Sequence, residues 1–299
     1  MTILNKPWPL LILLSLIWGS SFWLIKIGLV IASPLQLALL RVTIAAICLL
    51  PLVVYILHKH KISLNKRKLL WLSLVGLVGN IVPALLFSVA QTTIHSALAG
   101  LLNSLQPLFT ILVGFTAFSH PLKSKQLQGV IVGLLGVALI LFGNQSDIEL
   151  SGHLTASGLV IIAALCYAVA TNIIKHKCHG LSPIVIAGVS LNIYLIPMLL
   201  LFALTESPQS IIFKLFSYHG TAIVLLGSIG TAYALIFFNR LVLISSPVFA
   251  SGVTYLIPVV ATLWGVLDNE PINVSHIIGG MILLSGLKLT TLETTDKLG

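Results

Sequence analysis

Charged side chains are scarce in this chain of 299 residues. Only 8% of the residues are Asp, Glu, Lys or Arg, whereas 58% are hydrophobic, and the mean hydropathy is +1.10. Soluble globular domains carry about a quarter charged residues, so a soluble fold is excluded. Apolar runs of about 20 residues, the length that crosses a bilayer as a helix, recur along the whole chain. The composition therefore predicts an integral membrane protein with little chain left for a soluble domain.

Cysteine is scarce as well. Cys48 and Cys166 lie inside apolar runs and Cys178 lies in a basic loop, so they predict neither a disulfide framework nor a metal site. The sequence also lacks the HExxH and GxSxG motifs and any pair of aspartates inside an apolar run. Nothing therefore offers a nucleophile with its base, or a metal cage. We predict that the protein is not an enzyme and has neither a metal nor a cofactor.

Ten apolar segments are long enough to cross the membrane as helices, and Gly and Pro punctuate their ends. The loops between them are short. The predicted spans are residues 7–30, 34–57, 69–90, 95–118, 126–143, 154–174, 183–204, 219–240, 246–267 and 275–292.

The basic residues predict the orientation of these spans. A net charge of +9 would suggest nucleic acid as the partner of a soluble protein, but here the basic residues lie between apolar runs, so we predict no nucleic-acid binding. Lys and Arg concentrate in cytoplasmic loops. A cytoplasmic N-terminus leaves only Lys26 and Lys214 outside, which predicts both termini in the cytoplasm and a first span that is retained rather than cleaved. The basic residues then predicted in the cytoplasm are Lys6, Lys59, Lys61, Lys66, Arg67, Lys68, Lys123, Lys125, Lys175, Lys177, Arg240, Lys288 and Lys297.

The two halves of the chain match at a nearly constant offset. Lys26 matches Lys175 at 149 residues, and Pro107 matches Pro258 at 151 residues. Each half holds five spans, an odd number, so the second half enters the membrane from the opposite side. The predicted fold is an all-α membrane protein of ten transmembrane helices in two inverted five-helix repeats, the recurring architecture of secondary transporters. The predicted parts are a first repeat at residues 1–143, an outer linker at 144–153, a second repeat at 154–292 and a cytoplasmic tail at 293–299.

Several segments resemble a known family. LIWGSSFWLIKIGL, SPLQLALLRVTIAA and NSLQPLFTILVG in the first half, and TAYALIFFNRLVLISSPVFASGVTYLIPVVATLWG in the second, are similar to the EamA family of the drug/metabolite transporter superfamily. The resemblance implies a ten-helix transporter, most often a bacterial exporter of amino acids or other small metabolites, with its binding cavity at the pseudo-twofold axis. It also implies a Gly-Glu-Pro-like stretch after the fourth span of each repeat. The second repeat has Asn269-Glu270-Pro271, but the first has Ser119-His120-Pro121 and lacks the acid.

Polar residues and prolines interrupt the fourth span and its counterpart. Asn103 and Gln106 precede Pro107, and the repeat places Thr254 opposite Asn103 and Pro258 opposite Pro107. Each proline frees a carbonyl one turn earlier, and in lipid such groups need a protein or water partner. A water-filled cavity lined by these side chains is one interpretation. Hydrogen bonds between helices without any ligand are the other, and the sequence leaves both open.

Aromatic residues also match across the repeat near mid-membrane. Trp18 matches Tyr167, and both lie too deep for an interfacial belt, so a cavity wall competes with ordinary packing. Phe87 matches Phe238, and for this pair packing competes with a role as a gate. The further candidates for the cavity wall are Asn80, Tyr233 and Tyr255.

Arg41 is a charged residue well inside a predicted span. Such a charge suggests a functional role, and its planar fork suits a substrate carboxylate. Alternatively it snorkels outward and holds helices together through carbonyls or Glu270. Because the repeat gives it Ser190 as a counterpart, Arg41 is not part of the symmetric core.

Carboxylates are absent from the middle of the predicted spans, where proton-driven pumps usually carry one. This favours a neutral, zwitterionic or anionic solute, and facilitated diffusion or exchange over proton antiport. The leading prediction is export of amino acids or related solutes across a bacterial inner membrane. Efflux of drugs or other amphipathic compounds is the alternative, and a membrane protein that does not transport is a distant third. The predicted partners are a small-molecule solute and the lipid bilayer, and the sequence leaves monomer and homodimer equally open.

Overall fold

The computed structural model describes residues 6–119, 124–142, 150–269 and 274–291, and the regular structure in these ranges is entirely helical. The first half contains α1 (Pro7–Gly28), α2 (Pro34–Lys59), α3 (Lys66–Ala90), α4 (Ser96–Phe118) and α5 (Ser124–Phe142). The second half contains α6 (Leu150–Lys177), α7 (Pro183–Ala203), α8 (Tyr218–Ile244), α9 (Pro247–Leu267) and α10 (Val274–Thr291). A short helix, Pro208–Lys214, lies between α7 and α8.

Within the described residues, eight helices are long and apolar enough to cross a membrane: α1 to α4 and α6 to α9. The predicted all-α membrane class is therefore confirmed. The helices α5 and α10 carry shorter apolar stretches, Leu127–Gly136 and Ile277–Gly286. That they cross as well, which would bring the count to ten, stays a prediction.

Side-chain caps set where several helices begin. Ser33 and its repeat counterpart Ser182 precede α2 and α7, and each hydroxyl accepts a hydrogen bond of 3.3 Å from the amide three residues on. This satisfies one of the amides left without a partner at a helix start. Asn65 does the same for α3, so α3 begins at Lys66 rather than at residue 69. At the other boundary, α6 begins at Leu150, inside the linker predicted at 144–153.

Departures from regular α-helix recur at matching places in the two halves. The helix α3 contains a π-helical segment, Leu77–Ile81, and α8 contains another, Ser228–Tyr233, which starts 151 residues later. The helix α4 breaks between Asn103 and Gln106, and α9 narrows to a 3-10 turn at Gly252–Tyr255. The predicted duplication thus extends to irregular backbone that the sequence pattern did not predict.

The helices α5 and α10 cross at small residues in a twofold-symmetric way. A Cβ at Gly136 would lie 2.6 Å from the Leu283 nitrogen and 2.7 Å from the Gly279 oxygen. A Cβ at Gly286 would lie 2.5 Å from the Gly133 nitrogen and 2.6 Å from the oxygen of Gly129. Leu283 and Gly279, which Gly136 meets, are the repeat counterparts of Gly133 and Gly129, which Gly286 meets. The two sets of contacts are therefore related by a pseudo-twofold axis that passes through this crossing.

The remaining helices pack in the same exchanged manner. The helix α1 packs on α8 and α9, and its counterpart α6 packs on α3 and α4. The helix α2 packs on α7 and α8, and its counterpart α7 packs on α2 and α3. The two repeats therefore interlock, and the space between them lies beside helices from both. His120, Pro121, Glu270 and Pro271 lie outside the described residues.

Candidate solute-binding site

A cavity lies between the two repeats. It has about 920 Å³ of empty space, open solvent at its mouth included. Helices α1 to α4 and α6 to α9 all contribute to its wall, so each repeat supplies half of the lining. Pockets between two halves of a protein that are mostly apolar and have a few convergent polar groups are typical ligand sites.

Most of the side chains proposed from the sequence meet at this cavity. The lining includes the predicted wall residues Trp18, Asn80, Asn103, Gln106 and Tyr167, together with Arg41 and the symmetric pair Phe87 and Phe238. The structure thus brings these eight side chains together. Their role in binding a solute stays a prediction.

Three of the predicted wall residues lie elsewhere. Tyr233 is 49% exposed and is not among the residues that line the cavity, and Tyr255 packs partly buried against the hydrophobic core. Thr254 is 1% exposed and donates its hydroxyl to the Ser251 carbonyl at 2.9 Å. The Thr254 carbonyl, which Pro258 cannot bond, accepts from the hydroxyl of Ser104 at 2.8 Å. Around Thr254, therefore, the structure shows one hydrogen bond within α9 and one between α4 and α9 rather than a cavity wall.

Pro107 and Pro258 each lie in the first turn of a helical segment that begins beside the cavity. Pro107 is the second residue of the segment Gln106–Phe118, and Pro258 is the second residue of Ile257–Leu267. Proline is tolerated in the first turn because its missing amide has no partner there. Asn103 ends the preceding segment of α4, which places its side chain at the break.

The π-helical segments carry polar side chains into the wall. The amide nitrogen of Asn80 donates to the Val75 carbonyl at 3.3 Å, and the hydroxyl of Thr231 donates to the Leu226 carbonyl at 2.8 Å. In both cases the acceptor lies five residues earlier, the spacing of a π-turn. The indole nitrogen of Trp18 donates to the Gly230 carbonyl at 3.0 Å. The irregular backbone is thus satisfied by side chains that also face the cavity, and π-bulges are frequent at functional sites.

Two aromatic pairs face each other across the pseudo-twofold axis. The rings of Trp18 and Phe238 lie 5.1 Å apart, and the matching pair, Tyr167 and Phe87, lies 6.0 Å apart. Phe22 meets Phe87 edge-on at 5.4 Å. These contacts give the cavity two broad apolar faces.

Arg41 makes the electrostatics of the cavity asymmetric. It is 8% exposed, and its Nε donates to the Thr231 hydroxyl at 2.8 Å, the one hydrogen bond of its guanidinium to a described residue. Within the described ranges no carboxylate forms an ion pair with it. Its counterpart Ser190 also lines the cavity, but bonds to the Ala187 carbonyl of its own helix. The site is thus positive on one side only.

Unpaired acceptors are also present in the wall. The side-chain oxygens of Asn103 and Asn239 are buried and have no hydrogen-bond partner among the described residues, although both side chains line the cavity. Buried polar atoms are nearly always paired, so these two oxygens would be stabilised by a donor on a solute that comes within hydrogen-bond distance of them. The sequence pattern did not predict Asn239 and Thr231 at the cavity. For Thr231 a signal existed, since it matches Asn80 at the offset of 151 residues.

Different contacts close the two ends of the bundle around the cavity. At one end, where α1 meets α9, Lys26 pairs with Asp268, and Trp264 stacks on Trp23 at 4.3 Å and donates to Ser20 at 2.9 Å. At the other end, where α6 meets α4, the rings of Phe118 and His176 stack at 4.9 Å, and the ammonium of Lys177 lies 5.9 Å from the Phe118 ring.

The Lys175 ammonium also lies at that second end. It donates to the carbonyls of Val242, Leu243 and Ser245 where α8 ends. A cation there complements the partial negative charge of a helix C-terminus. Lys26 therefore bonds across the repeats to Asp268, whereas its repeat counterpart Lys175 bonds within the second repeat, to the end of α8.

A model of the EamA-like transporter family matches residues 6–142 and again residues 154–292. The chain belongs to the EamA-like transporter family. Two copies of the family unit account for the repeat, and the cavity lies between them.

The alignments with two curated relatives cover nearly the full length of both chains. A probable amino-acid metabolite efflux pump of Salmonella typhimurium is 28% identical over 95% of this chain and 94% of its own. The uncharacterized inner membrane transporter YedA of Escherichia coli is 29% identical over 93% of this chain and 88% of its own. A solved crystal structure of a protein with 18% identity matches with a TM-score of 0.67 over 97% of this chain and 98% of that one, which supports the fold. The protein is therefore a multi-pass membrane transporter.

Proposed function

We propose that the protein is an alternating-access secondary transporter that exports amino acids or related neutral or zwitterionic solutes from the bacterial cytoplasm. The observation that carries the proposal is the cavity between the repeats, where Arg41, Asn103 and Gln106 lie beside apolar aromatic faces. The name of the Salmonella relative, an amino-acid metabolite efflux pump, supports the same solute class.

The transport step in this proposal follows from the two closures. We take the predicted topology of ten membrane helices in two inverted repeats with both termini cytoplasmic as part of the proposal. In that topology the α1–α9 contacts of Lys26 and Asp268 lie on the outer side. The α6–α4 contacts of Phe118 and His176 are then on the cytoplasmic side. Because the repeats are related by symmetry, separation of one pair of helices with the other closed gives outward-open and inward-open forms around one site.

Proton coupling is not part of the proposal. No carboxylate or histidine is present among the described side chains that line the cavity, whereas proton relays use such groups. We therefore propose exchange or facilitated diffusion, with the solute gradient as the driving force.

Efflux of drug-like amphipathic compounds is the second candidate, and the aromatic pairs Trp18–Phe238 and Tyr167–Phe87 favour it. The positive charge of Arg41 counts against cationic dyes. Expression in a sensitive host separates the two candidates. An amino-acid exporter protects cells against toxic amino-acid analogues, whereas a drug exporter protects against dyes and lipophilic antibiotics.

Counterflow in proteoliposomes tests the proposal directly. Vesicles loaded with an unlabelled amino acid should accumulate the labelled form transiently, at the same rate with and without a pH gradient. Asn103→Ala should reduce this counterflow, whereas Thr92→Val, an exposed change remote from the cavity, should not. Absence of counterflow for every amino acid of a full panel would contradict the proposed function.

A further inference from the structure

We propose that the cavity binds a neutral apolar amino acid in a fixed orientation, with its carboxylate on the guanidinium of Arg41 and its ammonium on the side-chain oxygen of Asn103. This inference rests on the proposed function and assigns the two ends of the solute to two residues.

The carboxylate end follows from the donors of Arg41. Its guanidinium has five N–H groups, and one of them, at Nε, bonds to Thr231. The residue is 8% exposed and lines the cavity, and no described carboxylate neutralises it. A buried charge is costly unless it is paired, and a carboxylate accepts two parallel bonds from the guanidinium fork. A solute carboxylate supplies both the missing charge and the missing acceptors.

The ammonium end follows from Asn103. It is 4% exposed, its Oδ1 has no hydrogen-bond partner among the described residues, and it lines the same cavity as Arg41. An unpaired buried acceptor costs about 1–3 kcal/mol, which a donor on the solute would recover. The acceptor is neutral, so an ammonium is held by a hydrogen bond rather than by an ion pair. A cation without a carboxylate would therefore be repelled by Arg41 and weakly held.

The apolar body of the solute is accommodated by the aromatic faces. The pairs Trp18–Phe238 and Tyr167–Phe87, each of which joins a residue of one repeat to a residue of the other, line the cavity. Their rings suit a flat or branched apolar side chain. The donors, the acceptors and the apolar faces together match the three parts of a neutral apolar amino acid.

Two matched trios of probes test this orientation by their effect on thermal unfolding of the purified protein. The first is L-phenylalanine, its amide and 3-phenylpropionate, and the second is L-leucine, its amide and 4-methylpentanoate. Each amide lacks the carboxylate, and each desamino acid lacks the ammonium. We expect the amide to bind about ten- to a hundredfold more weakly than the amino acid, because it loses charge-assisted bonds. The desamino acid should bind roughly three- to tenfold more weakly, because it loses one bond to a neutral acceptor.

Variants then assign each preference to its residue. Arg41→Gln should abolish the preference for the acid over the amide and leave the effect of the ammonium. Asn103→Leu should abolish the preference for the amino acid over the desamino acid and leave the preference for the acid over the amide. Arg67→Gln, the same change at an exposed position in the first turn of α3, should alter neither. If Arg41→Gln does not fold, Arg41→Lys should retain a reduced preference for the acid, and Thr231→Val should weaken the acid more than the amide.

The proposal is overturned if acid and amide bind equally in both trios, if neither amino acid binds, or if Arg41→Gln or its substitute Arg41→Lys keeps the full preference. Counterflow of other amino acids in those cases would leave the proposed function standing. Loss of all amino-acid counterflow would instead remove the function itself.

Discussion

At the scale of single residues, the chemistry of the cavity comes from positions where the two repeats differ. Arg41 and its repeat counterpart Ser190 both line the cavity, so one half of a symmetric pair of positions is charged and the other is neutral. The sequence predicts Trp18 and Asn103 at the cavity because polar or aromatic groups deep in an apolar span need a special environment. It also predicts Tyr233 at the cavity wall, where the structure does not have it. This tyrosine ends a π-helical segment, and the extra residue per turn changes which face of the helix a side chain occupies.

Cys178 offers a prediction at the same scale. It lies just beyond α6, it is 1% exposed, and burial raises the pKa of its thiol to about 11. Since the thiolate is the reactive form, a variant in which Cys48 and Cys166 are replaced by serine should react with maleimide about a hundredfold more slowly at pH 7.5 than an ordinary thiol. The rate should rise as the pH approaches 11, and denaturation in detergent should remove the protection. Fast labelling of the folded protein at pH 7.5 would show that Cys178 is exposed.

At the scale of elements, apolar runs and Pro or Gly boundaries predict where helices lie but not where they are interrupted. The start of α2 is predicted correctly at residue 34, because Ser33 and Pro34 are a strong start signal. The π-helical segments in α3 and α8 were not predicted. They depend on contacts from other helices, such as the bond from Trp18 to the Gly230 carbonyl, and these contacts are invisible in a local pattern.

Gly76 tests how closely α3 must approach α7 beside one of these segments. A Cβ at Gly76 would lie 2.0 Å from the Ser190 carbonyl oxygen, so the helices must separate to admit it. We expect Gly76→Ala to destabilise the fold by about 1–3 kcal/mol and to lower transport, because Ser190 lines the cavity.

Gly158 in α6 provides the matched control, since a Cβ there meets nothing within 4 Å. Gly158→Ala should be neutral or stabilise by up to about 1 kcal/mol, as expected of alanine in a helix. Unfolding in a graded denaturing detergent measures both. Equal stability of the two variants would mean that α3 and α7 are not in close contact.

At the scale of the whole molecule, the repeat is the feature that the sequence predicts best. A constant offset of matched residues is enough to predict the duplication, and the exchanged contacts at Gly136 and Gly286 follow from the symmetry. The closures are harder to predict, because Lys26 with Asp268 and Phe118 with His176 join residues far apart in the chain. The two pairs occupy matching positions at an offset of 150 residues, but one is an ion pair and the other is a stack of two rings. Such pairs become visible only when the two repeats are assembled.

The central claim, that one cavity is reached alternately from the two sides, is tested most directly by a cysteine at Ser190 in a cysteine-free background. A small membrane-impermeant methanethiosulfonate that carries a sulfonate group would be added to whole cells and, separately, to inside-out membrane vesicles. We expect modification from both sides, slowed from both by a transported amino acid that fills the cavity. Modification from one side only, or equal rates with and without the solute, would contradict the account.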